Sequence, residues 1–412
     1  MRDLKLVNGI NTCIKRNSNT PRTALCLNLS INKPEKYAGE YLLMSRLLMK
    51  GTKKYSSEEL SAILDENAIS LTTEMKFDYL RLKFVCLNED FEYALSILSD
   101  IIKNSTFAEI EKERTLLKGE LMAELDSARV KVSDLFTRTI FKNHFYGHCY
   151  TNILNEIDNV TPESVKNAYD EILRTSNKTL VLVGDIDDNY AENLLNKYLG
   201  ELPKSEGVNL VGVNPEGVNP EISKPDALKN EYAELIKEDA QQAQILQGWL
   251  VPTIGSDDYA CLKLLNIILG ASGLSSRLFL ELREKKGLAY TVRTSCESFS
   301  KCAVFSIYIG TEPSNIETSI AGFKEEIEKI KNIEVGEEEL HNAKNNLIGK
   351  MQFLTETNSQ QANLMAYYSI NGKPFDYQNA LIDAVRAVTP AQLKECANKY
   401  FTDDFVLAVL KP

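Results

Sequence analysis

Histidine is scarce in this chain of 412 residues: His144, His148 and His341 are the only three. A nucleophile paired with a histidine base has almost nothing to draw on, and no such pairing stands out. The eight cysteines are scattered, with no Cys-x-x-Cys pair. They offer no disulfide framework and read as reduced core thiols of a cytoplasmic protein. No apolar run reaches the ~18 residues that a membrane-spanning helix needs; stretches such as residues 264–269 have the length of core elements. Met1-Arg2-Asp3-Leu4-Lys5 carries an early acid with no apolar stretch behind it, so no secretory signal is expected. Basic charge is also in deficit. Lys plus Arg number 47 against 58 Asp plus Glu, a net charge of −11, so nothing draws the chain as a whole to nucleic acid. Gly270-x-x-Gly273 is not followed by Gly-Lys-Ser/Thr and is no phosphate loop. The single Trp249 reads as core.

What remains is ordinary globular material, 43% hydrophobic and 25% charged, enough for two or three domains at ~150 residues each. One stretch breaks the texture. Gly-Val-Asn recurs at 207, 212 and 217 among Pro203, Pro215, Pro220 and Pro225. Glycine adds chain entropy and proline removes donors, so 203–225 reads as a linker between 1–202 and 226–412. The two parts carry matching landmarks. Thr161-Pro162 and Thr389-Pro390 are both helix starts with a capping threonine and a proline in the first turn. Each is followed by a β-branched run, at 179–183 and 405–409. Upstream, 110–125 and 340–353 both space their apolar residues as helices do. Residues 78–87 and 303–309 read as strands. The reading is a duplicated α+β chain: two homologous domains, each an antiparallel or mixed sheet covered by helices.

Specific segments sharpen this. Residues 39–50 form an apolar helix-like run stopped by Gly51, ending Leu47-Leu48-Met49-Lys50-Gly51-Thr52. Residues 100–107 lead to Glu111-Lys112-Glu113-Arg114 and then Glu120. In the second part, Gly273-Leu274-Ser275-Ser276-Arg277-Leu278-Phe279 leads to Arg283-Glu284-Lys285-Lys286-Gly287-Leu288-Ala289-Tyr290. Together these resemble the inverted zinc peptidases of the insulinase, pitrilysin and mitochondrial processing peptidase type, over nearly the whole chain. The resemblance implies that Lys50-Gly51-Thr52 follows the place of the His-x-x-Glu-His motif. Leu42 and Arg46 then stand where the two histidine ligands belong, and Ser45 where the catalytic glutamate belongs. Only Glu120, at the third ligand's place, is retained. Leucine has no lone pair, arginine stays protonated, and serine is no base for water. No metal is expected in this chain. His144 and His148 fall in a stretch that reads as a loop, part of which resembles a non-metal loop of the family.

The resemblance further implies that Arg283 and Tyr290 bind peptide backbone carbonyls near the bond to be cut. With the zinc motif erased and this pair kept, the expected role is a non-catalytic, substrate-binding subunit. Its partner would be a zinc-bearing chain with His-x-x-Glu-His, the two closing around a peptide in a chamber. The alternative is a peptide-binding or scaffold protein of the same fold without peptidase activity. A buried carboxylate without a metal is costly, so Arg46 is expected to pair with Glu120 or Glu113.

Overall fold

The short runs richest in β-branched and apolar residues become the central strands. In the computed structural model, which describes residues 1–205 and 222–412, the first sheet comprises β1 (Arg2–Lys5), β2 (Asn11–Arg16), β3 (Arg22–Ser30), β4 (Ser70–Met75), β5 (Tyr79–Leu87) and β6 (Lys178–Gly184). Their order is β1-β2-β6-β3-β5-β4. Only β2 and β6 run parallel; the other neighbours are antiparallel. β6 is buried along its whole length, as a strand covered on both faces must be.

The second sheet comprises β7 (Glu231–Ile236), β8 (Ala243–Val251), β9 (Ala289–Ser298), β10 (Ala303–Thr311) and β11 (Val406–Lys411), in the order β7-β11-β8-β10-β9. Here only β7 and β11 are parallel. Strand for strand this repeats β2-β6-β3-β5-β4, so the duplication legible in the helix starts extends to sheet topology. Both Thr-Pro starts form. Thr161 and Thr389 accept from the backbone N–H three residues on, and Ser164 and Gln392 reciprocate, which completes a capping box on each helix. The helices Pro162–Thr175 and Pro390–Tyr400 then feed β6 and β11.

The chain forms two compact units that exchange segments. The first comprises Met1–Gly119, Asn152–Ile222 and Phe353–Tyr377; the second comprises Glu120–Thr151, Ser223–Gln352 and Gln378–Pro412. A division at 203–225 alone does not describe this. Within the first unit, the helix Asn358–Ile370 lies on β3 and β6. Its Ala362, Met365 and Ala366 join Cys13, Ala24, Cys26, Val181, Val183 and Phe375 in one core cluster. Within the second, the helix Ala128–Ile140 lies on β7, β8 and β11. A Cβ at Gly248 would stand 2.6 Å from the Phe136 ring, so glycine is what lets this helix approach β8. The Gly-Val-Asn repeat lies outside the described residues. Among the described residues no helix is long and apolar enough to cross a membrane.

None of the eight cysteines is in a disulfide, and only Cys149 and Cys296 are not fully buried. Burial pushes the Cys26 thiol up to about 11 and that of Cys86 to about 12, which leaves little reactive thiolate at neutral pH. Maleimide labelling of the folded chain, read by intact mass, is therefore expected to stop at two adducts. Rapid addition of six or more without denaturant would contradict the packing described.

Candidate functional site

In the first unit the helix Glu40–Leu47 carries Leu42, Ser45 and Arg46. Its start is held by Glu35, whose carboxylate accepts from the backbone N–H groups of Gly39 and Tyr41, both at 2.9 Å, an anion at the positive end of the helix. The chain leaves the helix through Gly51, at φ +100°, where a Cβ would also stand 3.0 Å from the Tyr55 carbonyl oxygen. Only glycine meets both demands. The Gly51 carbonyl then accepts from the Thr106 N–H at 3.2 Å, which ties this turn to the segment before the helix Ile110–Leu125.

The side chains at positions 42, 45 and 46 do not suit a metal. Leu42 offers no lone pair, and Arg46 is a cation. Ser45 is 3% exposed; its hydroxyl donates to the Leu42 carbonyl at 2.8 Å, and its own carbonyl accepts from Thr73 Oγ1 at 2.7 Å. It is a neutral, satisfied hydroxyl and no base. Glu120 lies on the helix Ile110–Leu125, is exposed, and belongs to the second unit. Among the described residues no three His, Cys, Asp or Glu side chains come together as a metal set. Zinc, which the resemblance implies for active relatives, does not fit this donor set.

Glu113 on the same helix is 4% exposed, and Lys50 Nζ meets its Oε1 at 2.8 Å. Lys50 thus supplies a cation to Glu113, one of the two carboxylates expected to pair with Arg46. It sits past the end of its helix, where a flexible four-carbon stem can reach inwards and keep part of its length in solvent. The sequence signal was present, since Lys50 opens the Lys-Gly-Thr run, but spacing alone does not show which cation reaches which acid. His144 is likewise committed. Nδ1 accepts from the Tyr146 N–H at 3.1 Å, which leaves Nε2 to donate to the Ser223 carbonyl at 3.0 Å. The expected loop is a short 3-10 turn at Phe145–Gly147.

In the second unit two π-helical segments, Ile267–Ala271 and Phe279–Lys285, flank Gly273. Such wide turns recur at functional sites. Between them Arg277 makes a two-pronged pair with Glu339 on the helix Glu337–Phe353, Nε and Nη2 each at 2.7 Å, and this fixes the second segment. Arg283 differs. Its guanidinium lies over the Phe279 ring, 4.6 Å from the centroid, and no carboxylate among the described residues engages it. After Gly287, at φ +62°, the Leu288 N–H donates to the Leu282 carbonyl and Thr311 Oγ1 donates to the Leu288 carbonyl. The ladder then steps from Thr291 opposite Gly310 to Ala289 opposite Thr311. Tyr290 is the extra residue of this bulge, a device that re-aims a side chain. It is 82% exposed, and its hydroxyl has no partner among the described residues. The seven-residue spacing thus delivers a guanidinium with unspent donors and an open phenol within one unit.

Comparison with known proteins agrees with this architecture. Residues 15–154 match the family described as insulinase (peptidase family M16), and 159–347 match the peptidase M16 inactive domain. An uncharacterized zinc protease, YmxG, of Bacillus subtilis is 24% identical over 90% of this chain and 87% of its own length. A Helicobacter pylori protein described as a non-peptidase homolog is 24% identical over 86% and 79%. The crystal structure of a peptidase M16 inactive domain from Pseudomonas fluorescens superposes with a TM-score of 0.87 at 19% identity, covering 100% of this chain and 98% of that one, which speaks to the fold.

Proposed function

The chain belongs to the insulinase family of peptidases, family M16, and on that premise we propose that it is the non-catalytic, substrate-binding subunit of a two-chain zinc peptidase. The observation that carries this is the contrast between its two units. In the first, the positions of the metal and base hold Leu42, Ser45 and Arg46. In the second, Arg283 and Tyr290 keep their donors unspent. The donors of Arg283 and the Tyr290 hydroxyl hold the carbonyls of an extended peptide and stabilise the negative charge that develops on the carbonyl under attack. The water-activating metal and its His-x-x-Glu-His motif belong to the partner, and the peptide is enclosed when the two chains meet. The description of one relative as a non-peptidase homolog supports the reading. Eight cysteines in no disulfide support a reducing compartment, the cytoplasm.

Metal analysis and peptide cleavage by the purified chain test the first half of this. The expected outcome is less than ~0.1 zinc per chain, since a catalytic zinc takes three protein ligands, and no cleavage above background. One tightly held zinc per chain with turnover would overturn the reading.

A further inference from the structure

Two further arginines of the second unit, Arg129 and Arg293, have no ion-pair partner among the described residues. Arg129 and Arg293 are both exposed, and their guanidinium carbons stand 5.3 and 5.5 Å from the centroid of one ring, that of Tyr308. Arg293 sits directly opposite Tyr308 across the β9–β10 ladder. Arg129 comes from the helix Ala128–Ile140, where it is the second residue. Tyr308 is 8% exposed, and its hydroxyl donates to Gln244 Oε1 at 2.5 Å, which fixes the ring as a floor. No carboxylate among the described residues pairs with either arginine.

Taken as structure alone, this arrangement is unfavourable. Two like charges share one ring, and one of them sits in the first turn of a helix, where the backbone dipole is positive and cations destabilise. Cation–π attraction at an exposed site returns only ~0.5–1 kcal/mol. Local features that work against stability without a compensating partner are characteristic of functional sites. What this one lacks is an anion. Guanidinium forks match carboxylates and phosphates in shape as well as charge.

We propose that Arg129 and Arg293, held on Tyr308, form a carboxylate-binding site that selects peptides with an acidic side chain. This rests on the reading of the chain as a peptide-binding subunit. It also places the acidic residue: Tyr290 and Arg293 are three residues apart on β9, about 10 Å at ~3.3 Å per residue. The favoured side chain therefore lies some three residues from the carbonyl that Tyr290 engages.

The test uses the full chain and two fluorescein-labelled extended decapeptides that differ by one Glu→Gln change, with binding read by anisotropy at low salt. The Glu peptide is expected to bind at least tenfold more tightly. Arg129→Gln with Arg293→Gln should erase that difference and leave the Gln peptide unaffected, and the corresponding Lys pair should restore part of it. Millimolar inorganic phosphate should weaken binding of the Glu peptide only. Equal affinities, absence of binding, or a preference that survives the double variant would overturn the site. So would phosphate binding to the chain without any effect on the Glu peptide, which would mark a small-anion site. Thermal melting gives an independent check: the Gln variants should melt no lower than the parent, and a drop of several degrees would mean that the arginines are structural. Failure of the chain to support a zinc-bearing partner would refute the subunit reading and leave a measured carboxylate preference standing.

Discussion

In a reconstituted pair with a zinc-bearing relative, Arg283→Ala and Tyr290→Phe should each lower turnover by about 100- to 1,000-fold, the loss typical when one preorganised donor to a developing oxyanion is removed. The expectation rests on what these side chains are not doing. Arg277, six residues earlier, is spent on Glu339, and its loss would loosen the π-helical segment. The Arg283 guanidinium lies over the Phe279 ring and meets no carboxylate among the described residues, and Tyr290 projects from a bulge into solvent. Their replacement removes little packing, so folding and pairing should survive while kcat falls. Tyr290→Phe deletes one hydroxyl and leaves the ring. Its effect should appear in kcat more than in KM, because the hydrogen bond strengthens as charge develops. Steady-state kinetics on pairs verified by size-exclusion chromatography decides this. Parental rates in both variants would make these residues ordinary helix and strand positions.

Lys50→Met is expected to destabilise the chain by about 3 kcal/mol, the lower end of what is lost when one partner of a buried ion pair is removed. The low end applies because the Lys50 side chain is 28% exposed while that of Glu113 is only 5% exposed; water already screens the lysine side. What remains after the change is a carboxylate at 4% exposure without its cation. Adding Glu113→Met should recover most of the loss, since an apolar pair of similar volume replaces an ion pair at little cost. Urea unfolding of the two single variants and the double gives the coupling directly. Strictly additive losses would mean that the 2.8 Å contact contributes nothing.

The duplication was legible because it is written in local chemistry. Thr-Pro starts, helical apolar spacing and β-branched runs each specify a neighbourhood of a few residues, and two copies in one order specify a repeat. Parallel pairing of β2 with β6 and of β7 with β11 was not legible, because it joins segments far apart in sequence. Nor was the exchange of segments. Ala128–Ile140 and Asn358–Ile370 each bury residues against a sheet, and nothing local in either helix says on which one. At the candidate site, residue identity sufficed to show that Leu42 and Ser45 cannot do metal chemistry. The Lys50–Glu113 pair required geometry, because the two residues are 63 positions apart. The bulge at Tyr290 was invisible for a similar reason: it depends on the register with β10, not on the octet that contains it.

Titration of this chain into a fixed amount of a relative that carries His-x-x-Glu-His tests the division of labour most directly, with cleavage of a quenched fluorescent peptide as the readout. Cleavage should rise with each addition and level off at one chain per partner, with neither chain appreciably active alone. A rate that does not change as this chain is added, or full cleavage by this chain with no partner present, would contradict the account.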